Sequence, residues 1–227
     1  MKKSVLFDLD GTLLDRDESV KQFIAAQSDR LNSCLSHISQ TDYATRFIEL
    51  DCHGHVWKDK VYQDLVTEFK ITSITWQELL SDYETQFQFH CVPFAGLIEM
   101  LDILKQQGYQ LGIITNGRGE FQSNAISGLG IQSYFEVILI SELEQVRKPE
   151  AEIFNRAMTR LGSTALNSVF IGDNPEADIL GAKNANLRTI WKRSPLWLEA
   201  LGADATINEL LEIPAILAKF NSTDRSI

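Results

Sequence analysis

Residues 3–12 read KSVLFDLDGT, a short apolar segment followed by two aspartates, a glycine and a threonine. A brief apolar run that ends in a turn predicts a buried strand, here from Lys3 to Asp8. In doubly wound parallel sheets, ligands bind beyond the carboxyl ends of the strands. Asp8 and Asp10 therefore stand where a sheet of this type places its reactive groups.

The chain after Pro93 alternates between strand and helix patterns. Strands are predicted at 111–115, 135–140, 168–172 and 188–191, with a weaker one at 205–207. Helices are predicted from Pro93 to Gly108, and at 120–129, 150–161, 175–185 and 208–219. Strands that alternate with helices of this length are typical of βαβ units and a parallel sheet.

The segment between these two regions has a different pattern of apolar residues. Residues 19–89 contain no convincing strand, and their apolar residues recur at helical spacing. Thr75 and Glu78 form a capping-box pattern at the start of one helix. We therefore predict an α/β fold in which residues 1–15 and 93–220 form a Rossmann-like parallel-sheet core. An all-helical cap of three or four helices, residues 16–92, is inserted into it, and residues 221–227 form a polar tail.

Polar residues follow four of the predicted strands. They are Asp8 and Asp10; Thr115, Asn116 and Gly117; Lys148; and Asp173 with Asp178. Carboxylate oxygens suit Mg²⁺, while a lysine, a hydroxyl and backbone N–H groups bind phosphoryl oxygens. One carboxylate can attack phosphorus and another can transfer a proton. This set indicates metal-assisted phosphoryl transfer.

Four segments of the chain, in order, resemble the motifs of the haloacid dehalogenase superfamily. They are DLDGT at 8–12, ITN at 114–116, KP at 148–149 and GDNPEAD at 172–178. The helical block between the first two motifs is similar to that of family members with a helical cap. The resemblance covers the chain to about Ile207.

The resemblance implies a catalytic role for three residues and a metal-binding role for four. Asp8 is expected to attack phosphorus and to ligate Mg²⁺. Asp10 is expected to protonate the leaving group, then activate water, and to offer its backbone carbonyl to the metal. Lys148 is expected to hold the nucleophile and the phosphoryl group in line. Asp173 and Asp178 are expected to complete the metal site.

The same resemblance assigns phosphoryl binding to Thr115 and to the backbone N–H of Asn116. Gly117 and Arg118 follow in the same turn and are predicted to bind substrate. The alternative for Arg118 is a structural position over the start of the next helix. Asp10 favours phosphate esters, because family members that dehalogenate 2-haloacids lack this second aspartate. Ala177 departs from the family pattern, since many relatives have Asn there.

The bulk composition excludes several classes of protein. The 227 residues carry a formal net charge of −10, which disfavours binding to nucleic acid or to an anionic membrane. No apolar run has the length of a transmembrane helix or an export signal. Three cysteines without CxxC spacing are typical of free thiols in a reducing compartment, so we expect a cytoplasmic protein.

The sequence thus predicts a Mg²⁺-dependent phosphatase that acts, through an aspartyl-phosphate, on a small phosphorylated metabolite. Sugar phosphates, phosphoglycolate-like acids and nucleoside monophosphates are the candidate substrates. A phosphomutase of the same superfamily and a non-catalytic phosphate-ligand binding protein remain as alternatives, and the protein is expected to be a monomer or homodimer. Residues 51–58 are a candidate specificity loop, and His53 and His55 in it fit a polar loop better than a metal site.

Overall fold

The computed structural model describes residues 2–223. The chain forms two compact units. One contains the residues up to Asp15 together with those from Pro93 onward, and the other is the helical insertion, Arg16–Val92. Each unit is built around its own set of buried side chains.

The helical insertion contains five α-helices, one more than the largest number predicted, because α2 is a single additional turn. They are α1 (Arg16–Arg30), α2 (Asn32–Leu35), α3 (Gln40–Asp51), α4 (Lys58–Glu68) and α5 (Trp76–Gln86). The predicted capping box is present at the start of α5. The Thr75 hydroxyl accepts a hydrogen bond from the Glu78 N–H at 3.2 Å, and the Glu78 carboxylate accepts one from the Thr75 N–H at 2.8 Å.

A buried glutamine links four partners inside the insertion. Gln27 is fully buried, and its amide oxygen accepts hydrogen bonds from the hydroxyls of Tyr43 at 3.1 Å and Tyr62 at 3.0 Å. Its amide nitrogen donates to the Leu79 carbonyl at 3.1 Å and to Asp82 at 2.9 Å. Because all of its polar atoms are paired, Gln27 stabilises this core.

The insertion also contains a buried ion pair. Asp51 is 2% exposed and accepts a hydrogen bond from Arg16 at 2.8 Å, and Lys58 pairs with its other oxygen. Burial alone would raise the pKa of Asp51, but the two cations outweigh it and hold the pKa below its ordinary value.

The other unit contains a six-stranded, entirely parallel sheet, and the predicted α/β fold with a Rossmann-like core is confirmed. The strands are β1 (Ser4–Phe7), β2 (Gln110–Thr115), β3 (Val137–Ile140), β4 (Ser168–Gly172), β5 (Arg188–Lys192) and β6 (Ala205–Ile207). Their order is β3-β2-β1-β4-β5-β6. Val5 pairs with Leu111 on one side and with Val169 on the other, so β1 lies in the interior of the sheet. Every residue of β1 is buried, as its continuous apolar run requires.

Helices connect or follow most of these strands along the chain. They are α6 (Leu97–Gln106), α7 (Gly119–Gly128), α8 (Ser141–Glu144), α9 (Ala151–Leu161), α10 (Gly181–Asn184) and α11 (Ile213–Thr223). Phe154 of α9 meets Phe170 of β4 edge to face, with ring centroids 5.0 Å apart. Burying a phenylalanine side chain contributes about 1.5 to 3 kcal/mol, so this contact is a substantial part of the packing between α9 and the sheet.

Three helices differ from the prediction. The helix expected from Pro93 begins at Leu97, because Pro93 instead forms an isolated antiparallel bridge with Leu14. The helix expected at 175–185 is a π-helical turn, Pro175–Leu180, followed by α10, because the N–H groups of Asp178 and Ile179 both contact the Asn174 carbonyl. The last helix continues to Thr223, so the first three residues of the predicted tail are helical. Asn221 anchors this end through Lys3 at 2.6 Å and Tyr109 at 2.7 Å. Residues 224–227 of the predicted tail lie outside the described residues.

Candidate active site

The carboxyl edge of the sheet gathers three of the predicted aspartates. Asp8 directly follows β1, Asp173 directly follows β4, and Asp178 lies in the π-helical turn beyond it. Each offers a carboxylate oxygen, and these oxygens lie within 4.8 Å of one another. All three residues are at least nine-tenths buried.

Lys148 joins two of these carboxylates. Its ammonium donates to Oδ1 of Asp8 at 2.5 Å and to Oδ1 of Asp178 at 2.7 Å, and the residue is only 3% exposed. The Asn116 side chain fixes the lysine backbone, since its amide donates to the Lys148 carbonyl at 3.0 Å and accepts from the Lys148 N–H at 2.9 Å. The predicted phosphoryl-binding turn therefore also positions the predicted catalytic lysine.

The Asp8 carboxylate is held at both oxygens. Thr12 donates its hydroxyl to Oδ2 at 3.2 Å while Lys148 occupies Oδ1. The Asp8 backbone N–H donates to the Ile171 carbonyl at 2.9 Å, which extends the β1–β4 pairing to the residue that follows the strand. Asp8 thus lies on a rigid sheet edge with its side chain in a fixed orientation.

Both carboxylate oxygens of Asp178 accept hydrogen bonds, although the residue before it is Ala177 rather than an asparagine. Its Oδ2 accepts the Asn174 N–H at 3.0 Å, and its Oδ1 accepts the Lys148 ammonium. Gly172 makes room for it, because a Cβ at that position would lie 2.4 Å from the Asp178 carboxylate. Asn174, which caps the π-helical turn, therefore contributes to the orientation of Asp178.

Asp173 packs against the turn that follows β1. Gly11 has a φ of +81°, and a Cβ there would lie 2.5 Å from Oδ2 of Asp173. The Trp191 indole donates to the Asp173 carbonyl at 2.7 Å. Lys192, which the sequence analysis did not single out, donates to the Gly11 carbonyl at 3.1 Å and is 4% exposed. Its position at the end of β5, at the same sheet edge, is the signal that could have identified it.

Burial and the repulsion between neighbouring carboxylates raise the pKa values of Asp8 and Asp173. Burial is the main cause for Asp8, with Asp178 and Asp173 adding to the rise and Lys148 opposing it. Burial and then Asp178 raise the pKa of Asp173 to about 7. Burial would lower the pKa of Lys148, but Asp178 and Asp8 raise it above the ordinary value, so the lysine stays charged.

This donor set fits a divalent cation of the magnesium type. Three buried carboxylates lie close together, and the Lys148 ammonium pairs with two of them. Hard cations take oxygen ligands, and Mg²⁺ is usually bound by one or two carboxylates. Burial and the repulsion between these carboxylates raise the pKa values of Asp8 and Asp173, so a bound cation would favour their ionised forms. In residues 2–223, no other cluster of His, Cys, Asp or Glu meets the same ligand geometry, and His53 and His55 are not part of one.

Asp10 and Thr115 are connected through a residue that the sequence analysis did not predict. Gln122 of α7 donates from its amide nitrogen to Oδ2 of Asp10 and to Oγ1 of Thr115, both at 2.7 Å. The buried positions of α7 are Gly119, Gln122, Ala125 and Ile126. A glutamine on this otherwise apolar face is the signal that could have found it.

Gly117 and Arg118 were both predicted to bind substrate. In the structure, Gly117 is hydrogen-bonded to α8 and Arg118 lies at the start of α7. The Gly117 N–H donates to the Ser141 hydroxyl at 3.0 Å, and Arg118 is exposed at the N-cap position of α7. The site thus assembles Asp8, Asp10, Thr115, Asn116, Lys148, Asp173 and Asp178 from separate segments of the sequence. All of them belong to the unit that contains the sheet.

The family follows from this fold and this site together with sequence comparison. The family model described as haloacid dehalogenase-like hydrolase matches residues 5–192, most of the chain. The chain belongs to this family and is a hydrolase of it, which confirms the resemblance noted in the four motifs. No helix within residues 2–223 has the length and apolarity needed to cross a membrane.

The chain is similar over most of its length to named members of the family and to solved structures. It is 29% identical to glyceraldehyde 3-phosphate phosphatase from Pyrococcus furiosus, over 99% of this chain and 97% of that protein. It is 32% identical to the pyrimidine 5′-nucleotidase PynA from Streptococcus pneumoniae, over 83% of each. Among solved structures, the magnesium-bound HAD-hydrolase YfnB from Bacillus subtilis superposes with a TM-score of 0.74 at 25% identity, covering 95% of this chain and 98% of that one.

Proposed function

We propose that this hydrolase is a Mg²⁺-dependent phosphatase that cleaves a small phosphomonoester through an aspartyl-phosphate on Asp8. The observation that carries the proposal is the buried Asp8 carboxylate, which Lys148 and Thr12 hold within a cluster of three carboxylates at the sheet edge. The relatives named for a triose phosphate and for pyrimidine nucleotides support a small phosphorylated substrate.

Asp8, Asp173 and Asp178 would hold the cation through their carboxylates, with the Asp10 carbonyl as a further ligand. When bound, the cation neutralises charge on the phosphoryl oxygens. The structure supports this assignment through its donor set and through Gly11 and Gly172, which allow two of the carboxylates to approach the backbone closely.

The protein groups perform the first half of the reaction as follows. An Asp8 oxygen attacks phosphorus, and the bond from phosphorus to the leaving oxygen breaks. The electron pair of that bond stays on the leaving oxygen, which takes a proton from Asp10. Lys148 keeps Asp8 oriented and, as a buried cation, stabilises the negative charge on the transferred group. The Thr115 hydroxyl and the Asn116 N–H bind phosphoryl oxygens.

Hydrolysis of the intermediate reverses the role of Asp10. Asp10 accepts a proton from water as the water oxygen bonds to phosphorus. The Asp8–phosphorus bond breaks, and its electron pair returns to the Asp8 carboxylate. Phosphate leaves, and both aspartates regain their starting protonation states.

Phosphate release from a panel of sugar phosphates, phosphoglycolate-like acids and nucleoside monophosphates tests the proposal. We expect release with Mg²⁺ and none with EDTA or with Asp8→Asn, while the surface variant Asp102→Asn keeps wild-type turnover. Radiolabel from the substrate should remain on acid-quenched wild-type protein and be absent from Asp8→Asn. Release that persists in Asp8→Asn would contradict the nucleophile. Isomerised sugar phosphate without free phosphate would instead identify a phosphomutase.

We also propose that the protein acts in the cytoplasm. The three cysteines form no disulfide, which is consistent with a reducing, cytoplasmic compartment.

A further inference from the structure

The buried side chain of Gln122 contacts two residues that the proposed mechanism uses. Gln122 is 2% exposed, and its amide nitrogen lies 2.7 Å from Asp10 Oδ2, 2.7 Å from Thr115 Oγ1 and 3.3 Å from the Asn116 carbonyl. Its amide oxygen is also buried, and no hydrogen-bond donor contacts it within the described part of the chain.

The partners determine which way the amide faces. The Asn116 backbone carbonyl accepts hydrogen bonds and cannot donate, so it must face the amide nitrogen. This orientation also directs the nitrogen toward Asp10 and leaves the oxygen on the side without a donor. A buried unpaired polar atom costs about 1 to 3 kcal/mol. The amide nitrogen thus lies between Asp10 and Thr115, while the amide oxygen has no donor from the described part of the chain.

This placement determines the direction of the Thr115 hydrogen bond. The Thr115 oxygen accepts a hydrogen bond from Gln122, so the hydroxyl hydrogen of Thr115 is available to another acceptor. In the proposed mechanism that acceptor is a phosphoryl oxygen. Gln122 thereby makes Thr115 a donor toward the substrate.

The same amide restrains the acid–base residue. Its hydrogen bond to Oδ2 of Asp10 fixes the rotation of that carboxyl group and leaves Oδ1 for proton exchange with the leaving oxygen and with water. The turn before α7 accommodates this arrangement, because a Cβ on Gly117 would lie 2.8 Å from Cγ of Gln122.

We propose that Gln122 is a positioning residue that holds Asp10 and Thr115 in one fixed relation, so that proton transfer and phosphoryl binding occur together. The inference rests on the proposed phosphatase function. It predicts that losing the amide impairs protonation of the leaving group more than it impairs any other step.

The test compares Gln122→Met with a buried glutamine that has a purely structural role. Methionine keeps the length and apolar contacts of glutamine but removes both the donor and the unpaired oxygen. Gln27→Met is the matched control, because Gln27 is equally buried and has all of its polar atoms paired inside the helical insertion. Both variants are assayed with p-nitrophenyl phosphate, whose leaving group needs little protonation, and with glycerol phosphate, whose alkoxide needs a proton.

For Gln122→Met we expect kcat/KM to fall about 100-fold with glycerol phosphate and about 10-fold or less with p-nitrophenyl phosphate, within the range for general acid catalysis. Its melting temperature should equal or exceed that of the wild type. Gln27→Met should melt lower and leave the ratio of the two kcat/KM values unchanged. Equal losses of kcat/KM on both substrates, or a drop in stability like that of Gln27→Met, would overturn the inference. Phosphate release by the wild type in the same experiment would still support the proposed function. A wild type that releases phosphate neither from these two substrates nor from the metabolite panel would overturn both the inference and the proposed function.

Discussion

The Asp173 carboxylate allows a test in which removal of a predicted metal ligand stabilises the protein. Its pKa is raised to about 7, mainly by burial and then by Asp178, against an ordinary value of about 3.9. A group whose pKa rises on folding stabilises the folded state fully below the unfolded pKa. This contribution is lost as the pH rises through the folded pKa. In the metal-free protein, the charged Asp173 carboxylate therefore opposes folding at about pH 7 and above.

The expected size follows from the shift in pKa. About three units at about 1.4 kcal/mol each give roughly 4 kcal/mol as an upper value. Asparagine has the same shape without the charge, so metal-free Asp173→Asn should be about 2 to 4 kcal/mol more stable than the wild type at about pH 8. For a protein of this size, that difference corresponds to a melting temperature on the order of 10 °C higher. The difference should shrink toward zero at about pH 4.

Thermal unfolding followed by circular dichroism, in EDTA and in saturating Mg²⁺, measures this difference. Asp102→Asn, which changes an exposed aspartate, serves as the control and should stay within about 0.5 kcal/mol of the wild type. Mg²⁺ at a hundred times its Kd should stabilise the wild type by about 2.7 kcal/mol and the variant less. If Asp173→Asn is less stable than the wild type in EDTA at about pH 8, or if the difference does not depend on pH, the electrostatic reasoning is wrong.

Three further changes test other parts of the structure. Metal-free Lys148→Met should lose about 3 to 5 kcal/mol in urea unfolding, because it leaves buried carboxylates without their cation; Lys105→Met, which breaks a partly exposed pair with Glu136, should lose about 1 kcal/mol or less, and equal losses would contradict the burial argument. Asp51→Asn should destabilise the helical insertion at neutral pH, and the difference from the wild type should fade below about pH 4, since the lowered pKa stabilises the fold above that range and the contribution is lost in acid; a difference that persists in acid would count against it. Gly172→Ala should weaken Mg²⁺ affinity by about 10- to 100-fold in a calorimetric titration, because its Cβ would displace Asp178. Unchanged affinity would show that Asp178 does not help to hold the cation.

The strands and the motif residues were predictable because each motif directly follows an apolar run. Asp8 follows β1, and Asp173 follows β4, whose bounds match the predicted 168–172. In a parallel sheet, the ends of such runs must share one edge, so proximity in space follows from the order of strands and helices. Local patterns were sufficient for this part of the site.

The residues that hold the site in place were not predictable in the same way. Gln122 and Lys192 contact the turn after β1 across more than a hundred residues of sequence, and neither lies in a motif. The π-helical turn at 175–180 depends on how Asn174 shares its carbonyl between two N–H groups, which no periodicity encodes. Such contacts depend on packing in three dimensions rather than on spacing along the chain.

The interior position of β1 has a consequence for how the protein is made. β1 is synthesised first, but its partners β2 and β4 begin about 100 and about 160 residues later. The β1 segment therefore has no strand partners while the whole helical insertion, with its own aromatic core, leaves the ribosome. Closing such long loops is slow, and an apolar strand without partners is prone to aggregation. The order of synthesis thus favours early folding of the helical insertion, with completion of the catalytic edge delayed until β4 has left the ribosome.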